Sequence, residues 1–287
     1  MNLYRTGDAA LTLASVPTIV PTLRRRKDFR PQRTYSSFFL VFNTVDPPFD
    51  DVRVRYAFNM ATDKRPVADL NQAGGIPAAG LVPSGGGYAQ ARNLPVSVDG
   101  VVYDVLSFNP RGARELLSRT GKSIPKRIEY LCGNFADSRA VAQVIHRQWR
   151  DHLGVEVVVI TQEVQTWIQS LTNRDFRHVA ENGSLADYTD PVWFLDLFTD
   201  SNGYRTGWND PQYRALLSKS KFTTDPALRM AMLAECERRL LTEMPILPYG
   251  HEVQSMLRKP FVKGLGGNTL NRQQFKYAWI DTNWRPQ

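Results

Sequence analysis

An α/β fold with some parallel strand pairing is what this sequence predicts, and three adjacent stretches carry the prediction. "KRIEYLC" (126–132) reads as a strand, and "VEVVVI" (155–160) as a second, β-branched one. Between them "DSRAVAQVIHRQWRDHLG" (137–154) places Val141, Val144, Ile145 and Trp149 on one helical stripe and stops at Gly154. Strand, helix and strand within about thirty-five residues form a right-handed crossover, which requires the two strands to run parallel.

The totals agree with a globular chain: 287 residues, 42% hydrophobic and 22% charged, enough for a substantial core. The formal charge of +8 raises the question of an acidic partner, but the one dense basic run, "LRRRKDFRPQR" (23–33), has no aromatic platform or recognition helix beside it. A solvated face or loop is the better reading, and no nucleic-acid partner is expected. Cys132 and Cys236 have neither a zinc spacing nor a disulfide framework and are expected to be free and buried. No apolar run approaches a membrane span, and "MNLYRTGDAALTLASVP" lacks a leader pattern, so a soluble chain without an export signal is expected.

Taken in order, a helical stretch around Thr18 to Leu23 precedes "YSSFFLVFN" (35–43), whose continuous apolar run fits a strand buried on both faces. Val54, Ala57, Phe58 and Ala61 recur at helical spacing, with Asp50 or Asp51 as the N-cap. Residues 74–93, rich in Gly, Pro and Ala, read as a long irregular loop. Asn109, Pro110 and Gly121 bound a helix completely: cap, first-turn proline and left-handed terminus. A short helix is expected over 162–171, and "FRHVAE" (176–181) as a strand. "PVWFLDLF" (191–198) reads as a short helix, followed by a polar loop, 201–211. Helices opened by Asp210–Pro211 and Asp225–Pro226 come next. The tail has strand pieces broken by Gly and Pro, and "FKYAWID" (275–281) is expected as a closing strand.

The search for chemistry is mostly negative. His146 and His152 are six apart on one helix and cannot chelate one ion, and His178 and His251 are remote, so no metal site is expected. Neither a nucleophile elbow nor a phosphate-cradling loop occurs, and "GLGGN" (264–268) is too short for dinucleotide glycines; no catalytic residue and no cofactor are assigned. In "NGSLADYTDP" (182–191), Asp190 before Pro191 reads as a helix cap. Asp187 has no such duty. It falls between a strand and a cap, where α/β folds face a crevice, and an apolar, aromatic environment there would require a cation or several donors.

"FFLVFNTVDPPFDDVRVRYAFNMATDK" (38–64) is the most specific piece of a larger pattern. "YRTGDAALTL", "GIPAAGLVP", "ARELLSRTG", "SLADYTDPVWFLDLF", "SNGYRTGWNDPQYRALL" and "FKYAWID" support it in order. Together they resemble the carboxyl-terminal portion of the family 5 extracellular solute-binding proteins, the oligopeptide- and dipeptide-binding proteins of ABC importers. The resemblance implies a periplasmic-binding-protein-like type II (cluster C) clamshell, here one complete lobe plus a partial second lobe. It implies residues 1–40 as part of the first lobe, 41–254 as the peptide-binding lobe and 255–287 as a return segment.

The same resemblance implies a binding protein and not an enzyme, a peptide or other small solute as ligand, ABC permease subunits as partners, and a periplasmic or extracytoplasmic location. Asp187 matches the aspartate that receives a peptide's α-ammonium, with Tyr188, Ser184, Leu185, Glu181 and Tyr249 around the ligand. The loops 74–88 and 201–208 are expected around the cleft. The chain departs from the pattern at Ser184, where an aromatic is frequent, at Glu181, where an arginine can meet a peptide carboxylate, and at "ILPYGHE", whose one aromatic is Tyr249. These departures leave open a sugar, opine or metal chelate as ligand; a hydrolase using Asp187 with a histidine and a degenerate non-binding remnant are separate alternatives. Because the family carries a further domain ahead of the segment matching Met1, this chain reads as a fragment. Its first lobe would then expose sheet edges and apolar surface, and a separate chain is one way of completing it.

Overall fold

The computed structural model describes residues 2–13, 20–70, 75–85, 87–199, 204, 206–267, 269–270 and 272–284. Its elements in chain order begin with α1 (Asn2–Thr6), β1 (Leu11–Leu13), α2 (Val20–Leu23), β2 (Phe29–Arg33) and β3 (Ser36–Phe42). Next come α3 (Val52–Met60), α4 (Lys64–Leu70), β4 (Ile76–Pro77), β5 (Pro95–Val98), β6 (Val101–Asp104) and α5 (Pro110–Thr120). The crossover consists of β7 (Arg127–Gly133), α6 (Ala136–Leu153) and β8 (Glu156–Gln162), and it leads into α7 (Val164–Asn173), β9 (Val179–Leu185) and α8 (Val192–Leu195). The chain then forms α9 (Pro211–Lys221), α10 (Pro226–Glu243), β10 (Ile246–His251), β11 (Val253–Arg258), β12 (Val262–Lys263) and β13 (Trp279–Ile280).

Six strands make the main sheet in the order β4-β10-β3-β9-β7-β8. The expected crossover is present: β7 and β8 pair in parallel from Arg127↔Glu156 to Gly133↔Gln162, and the connecting α6 packs against the sheet with Val141, Val144, Ile145 and Trp149 buried. Both faces are covered. Residues of α3, α5 and α6 fill one side, and residues of α8, α9 and α10 the other, which is why β3 reads as a continuous apolar run and β10, though broken by Pro248 and Gly250, is buried along its whole length. A second sheet, β1-β11-β2, carries its own small core of Tyr4, Val20, Leu23, Phe29 and Leu257.

Physical reasons emerge for the most specific sequence pieces. Asp51 caps α3 by accepting from the Arg53 amide at 2.9 Å and also pairs with the Arg53 guanidinium at 2.7 Å. Buried Arg55 donates from Nε to the Glu243 carbonyl at 3.0 Å and from Nη1 to that of Phe49 at 2.6 Å, tying α3 to the last turn of α10. The irregular loop after β4 is pinned from beneath: buried Glu237 of α10 accepts the Val82 amide at 2.7 Å and the Tyr88 hydroxyl. A Cβ on Gly80 would lie 2.6 Å from that carboxylate and would push it from its place beneath the loop.

Two expectations are revised. "FKYAWID" is only partly a strand: Phe275–Tyr277 is a 3-10 turn and the pairing is limited to Trp279 and Ile280 against Val262 and Lys263. The helix around Thr18 to Leu23 is seen as Val20–Leu23, with Thr18 outside the described residues. Cys132 and Cys236 are free and buried, and no helix among the described residues is long and apolar enough to cross a membrane.

Candidate functional site

Strand β9 lies in the middle of the main sheet, antiparallel to β3 and parallel to β7. Its side chains alternate between faces, so Val179, Glu181 and Gly183 share the side occupied by their β3 partners Phe42, Leu40 and Phe38. Two glycines make room for aromatic rings at the carboxyl ends of β7 and β9. A Cβ at Gly183 would meet the Phe38 ring at 2.5 Å, and one at Gly133 would meet Phe135 at 2.7 Å and Trp167 at 3.2 Å. The rings wall a cavity of about 410 Å³, completed by Asp137, Ser138 and Val141 of α6, by Glu181 to Leu185 of β9, and by Glu252 and Gln254. This is the crevice at the carboxyl ends of parallel strands where α/β sheets place ligands.

Glu252 and Gln254 also mark where the chain passes from the main sheet to the small one, and Thr34 marks the other passage. The passages are clasped together. Thr34 donates from Oγ1 to Glu252 Oε2 at 3.0 Å and from its amide to the Glu252 carbonyl at 3.1 Å, while Ser36 Oγ accepts the Glu252 amide at 3.0 Å.

Glu181 is 7% exposed. Its Oε1 accepts from the Tyr249 hydroxyl at 2.8 Å, whereas Oε2 is enclosed without a hydrogen-bond partner. Burial pushes its carboxyl up to about 7, against which the Tyr249 hydrogen bond and the Ser138 hydroxyl, which lies beyond good hydrogen-bond geometry, pull it down. The Trp167 indole Nε1 is likewise enclosed and unpaired, so two side chains of the wall each hold an enclosed polar atom without a partner.

The expected site residues therefore separate. Glu181, Ser184 and Leu185 line the cavity. Ser184 is already engaged, accepting from the Trp193 indole at 2.8 Å, and Trp193 stands edge-on to the exposed Tyr188 at 5.3 Å. Tyr249 is not a pocket wall: it is fully buried behind Glu181 and acts through that carboxyl.

Asp187 differs most from its expected setting. Its side chain is 61% exposed, not enclosed among aromatics, and its Oδ1 pairs with the Arg272 guanidinium at 2.6 Å. The reason is its place beyond the end of β9, where the strand's alternation no longer points side chains into the sheet. Asp190 does cap, accepting the Val192 amide at 2.9 Å, and it also pairs with Arg229 of α10 at 2.9 Å.

Neither of the loops 74–88 and 201–208 lines this cavity among the described residues. Tyr204, Thr206, Gly207 and Trp208 line a separate cavity of about 330 Å³, and residues 74, 86, 201–203 and 205 fall outside the described set. Lining residues missed in the sequence are Phe38, Phe135, Asp137, Ser138, Val141, Trp167, Asn182, Gly183, Glu252 and Gln254. The signal for part of them was present: Gly133 at a strand-to-helix turn marks a close approach at the crevice end of a crossover.

The histidines have local partners: His146 pairs with Glu156 at 2.7 Å, His152 Nδ1 is 2.7 Å from the Ala61 carbonyl, His178 Nδ1 accepts the Glu129 amide at 3.1 Å, and His251 Nδ1 is 2.9 Å from the Ser36 carbonyl.

A doubly covered sheet whose chain crosses twice to a second sheet, with a cavity at the crossings, defines the class: a partial clamshell of the periplasmic-binding-protein type. The family model of the bacterial extracellular solute-binding proteins, family 5 (middle region), matches residues 1–206, and the chain belongs to that family. It is 27% identical to the oligopeptide-binding protein OppA of Bacillus subtilis, over 90% of this chain and 48% of that protein. It is also 27% identical to the probable deoxycholate-binding periplasmic protein YgiS of Escherichia coli, over 96% of this chain and 51% of that protein. Among solved structures it is similar to an oligopeptide-binding protein, OppAIV, of Borrelia burgdorferi, with a TM-score of 0.79 and 24% identity, over 97% of this chain and 55% of that one. The chain spans about half the length of the relatives it matches.

Proposed function

We propose that this chain is the ligand-binding lobe of a peptide-binding component of an ABC importer, acting outside the cytoplasmic membrane and without catalysis. The observation that carries this reading is the cavity at the carboxyl ends of β7 and β9, with aromatic walls and an unpaired acceptor and donor in Glu181 Oε2 and Trp167 Nε1. A peptide in extended form supplies both complements in its own backbone and side chains.

In this reading the stretch between the clasp residues Thr34 and Glu252 belongs to the peptide-binding lobe and the residues outside it to a first lobe, a shift from the expected bounds of 1–40, 41–254 and 255–287 because Ser36–Phe42 pairs throughout within the main sheet and Val253 already pairs in the small one. Asp187, two positions beyond the cavity-lining Leu185 in the chain and not itself part of the wall, exchanges Arg272 for the peptide's α-ammonium. The permease subunits and the partner of the exposed first-lobe face come from the family and are part of the same proposal.

A non-peptide solute is the second reading, favoured by Glu181 standing where an arginine was expected. An anionic solute fits poorly, because Asp137, Glu181 and Glu252 all line the wall. Titration calorimetry with a tripeptide and its N-acetylated form tests the proposal. Removing the ammonium should weaken binding to the unmodified chain by tenfold or more, about the effect of truncating a charge-assisted pair, and Asp187→Asn should remove the distinction. Equal affinity of the unmodified chain for both forms would exclude Asp187 as the ammonium receptor.

A further inference from the structure

The cavity wall carries Asp137, Glu181 and Glu252, and among the described residues no Lys, Arg or His joins them. Acidic side chains on a surface are ordinary. Glu181 is different because it is more than nine-tenths buried and keeps one carboxylate oxygen enclosed and unpaired, an unfavourable arrangement unless a donor arrives. Facing the same space are the rings of Phe38, Phe135 and Trp167, the last two edge-to-face at 6.2 Å. Aromatic faces attract cations, most strongly where water is excluded.

We propose that this cavity is a subsite for an organic cation, an ammonium or guanidinium group on a side chain of the ligand, with Glu181 as its partner and the aromatic rings as its walls. The inference deepens the peptide reading above and rests on it for the identity of the ligand. It makes Glu181 a specificity residue that favours basic side chains and disfavours a carboxylate at the same place. No group of His, Cys, Asp and Glu among the described residues is arranged to hold a metal ion, which leaves a cation that brings its own hydrogen-bond donors.

Binding is then linked to a proton. The groups facing Glu181 are Tyr249 of β10, Tyr130 and Cys132 of β7, Asp137 and Ser138 of α6, and Glu252 and Gln254 at the crossing. Burial holds both tyrosine hydroxyls far above their usual range and pushes the Cys132 thiol up to about 12, so none of these ionises near neutrality. Glu252 is also raised by burial, with a Thr34 hydrogen bond opposing, and the Asp137 charge adds to the rise at Glu181. Arg139 of α6, the nearby guanidinium, donates to Asn134 at 2.5 Å. With Glu181 raised to about 7, an arriving cation displaces its proton, and affinity for a cation rises between about pH 6 and pH 8.

The test compares tripeptides carrying lysine or the isosteric norleucine at each position, together with n-butylammonium and n-butanol as minimal probes. Titrations are run at pH 6 and pH 8 on the unmodified chain, Glu181→Gln and Asp137→Asn, with folding of each checked by circular dichroism. At pH 8 the lysine form at one position should bind at least about tenfold more tightly than norleucine, the preference should shrink at pH 6, and Glu181→Gln should abolish it. Asp137→Asn, at the half-exposed rim, should reduce the preference only partly. Equal affinity for lysine and norleucine at every position, with no Glu181-dependent binding of n-butylammonium, overturns the inference and leaves the peptide reading standing. Glu181-dependent binding of n-butylammonium without any peptide binding supports the subsite and overturns the peptide reading. Absence of both overturns both.

Discussion

The carboxylate that most needs a partner is not the one the sequence picks out. Asp187 is exposed and paired with Arg272, while Glu181, six positions earlier, is buried with a free oxygen. The sign of Glu181's contribution to stability is set by its raised carboxyl. Between its unfolded value of 4.5 and about 7 the folded chain retains a proton that the unfolded chain has lost, so stability falls as pH rises through this window and levels off above it. Glu181→Gln should remove a loss on the order of 3 kcal/mol, making the variant more stable than the unmodified chain above pH 7 and flattening its profile in urea melts from pH 5 to pH 8. Glu237 and Glu252, raised in the same direction by burial, leave a residual slope in both proteins. Asp190 was legible because capping is local, a matter of an aspartate followed by proline. The setting of Asp187 was not, because its partner is 85 residues away in the tail.

Element boundaries obey the same division between local and distant causes. Asn109 accepts the Gly112 amide, Pro110 opens α5 and Gly121 closes it at φ 66, all as the residue types dictate. Asn109→Ala should therefore cost about 1 kcal/mol in chemical denaturation without altering ligand binding, since the helix lies away from the cavity. Asp210 and Asp225 cap α9 and α10 through the same chemistry, each accepting two backbone amides. The parallel crossover of β7, α6 and β8 was equally legible from periodicity. What periodicity could not supply is neighbourhood: β8 is as β-branched as a core strand yet forms the sheet's edge, with Val158 and Ile160 exposed. The closing "FKYAWID" segment likewise has strand-forming residues, but pairing for only two of them.

At the scale of the whole molecule, one sheet covered on both faces is joined at Thr34 and Glu252 to a second, smaller sheet, and the cavity sits beside that joint. The small sheet has only its own modest core, and Phe275, Tyr277, Trp279 and Ile280 stand exposed in the tail beyond it. The architecture and its family were readable because the apolar runs, caps and the Asp51–Arg55 segment all report on packing that this chain contains. The cavity wall was less readable, since Phe38, Phe135, Trp167 and Glu252 come from separate elements that only the folded sheet brings together. Placing the ligand at this wall is the central claim, and the indole of Trp167 is its direct reporter. The chain has six tryptophans, whose indole resonances can be tracked together by NMR and assigned with a Trp167→Phe variant. Titration with a lysine-containing tripeptide should move the Trp167 resonance saturably, as its free indole N–H gains an acceptor. A folded protein that binds the peptide to saturation while that resonance stays in place, or that binds no peptide up to the limit of its solubility, would contradict the account.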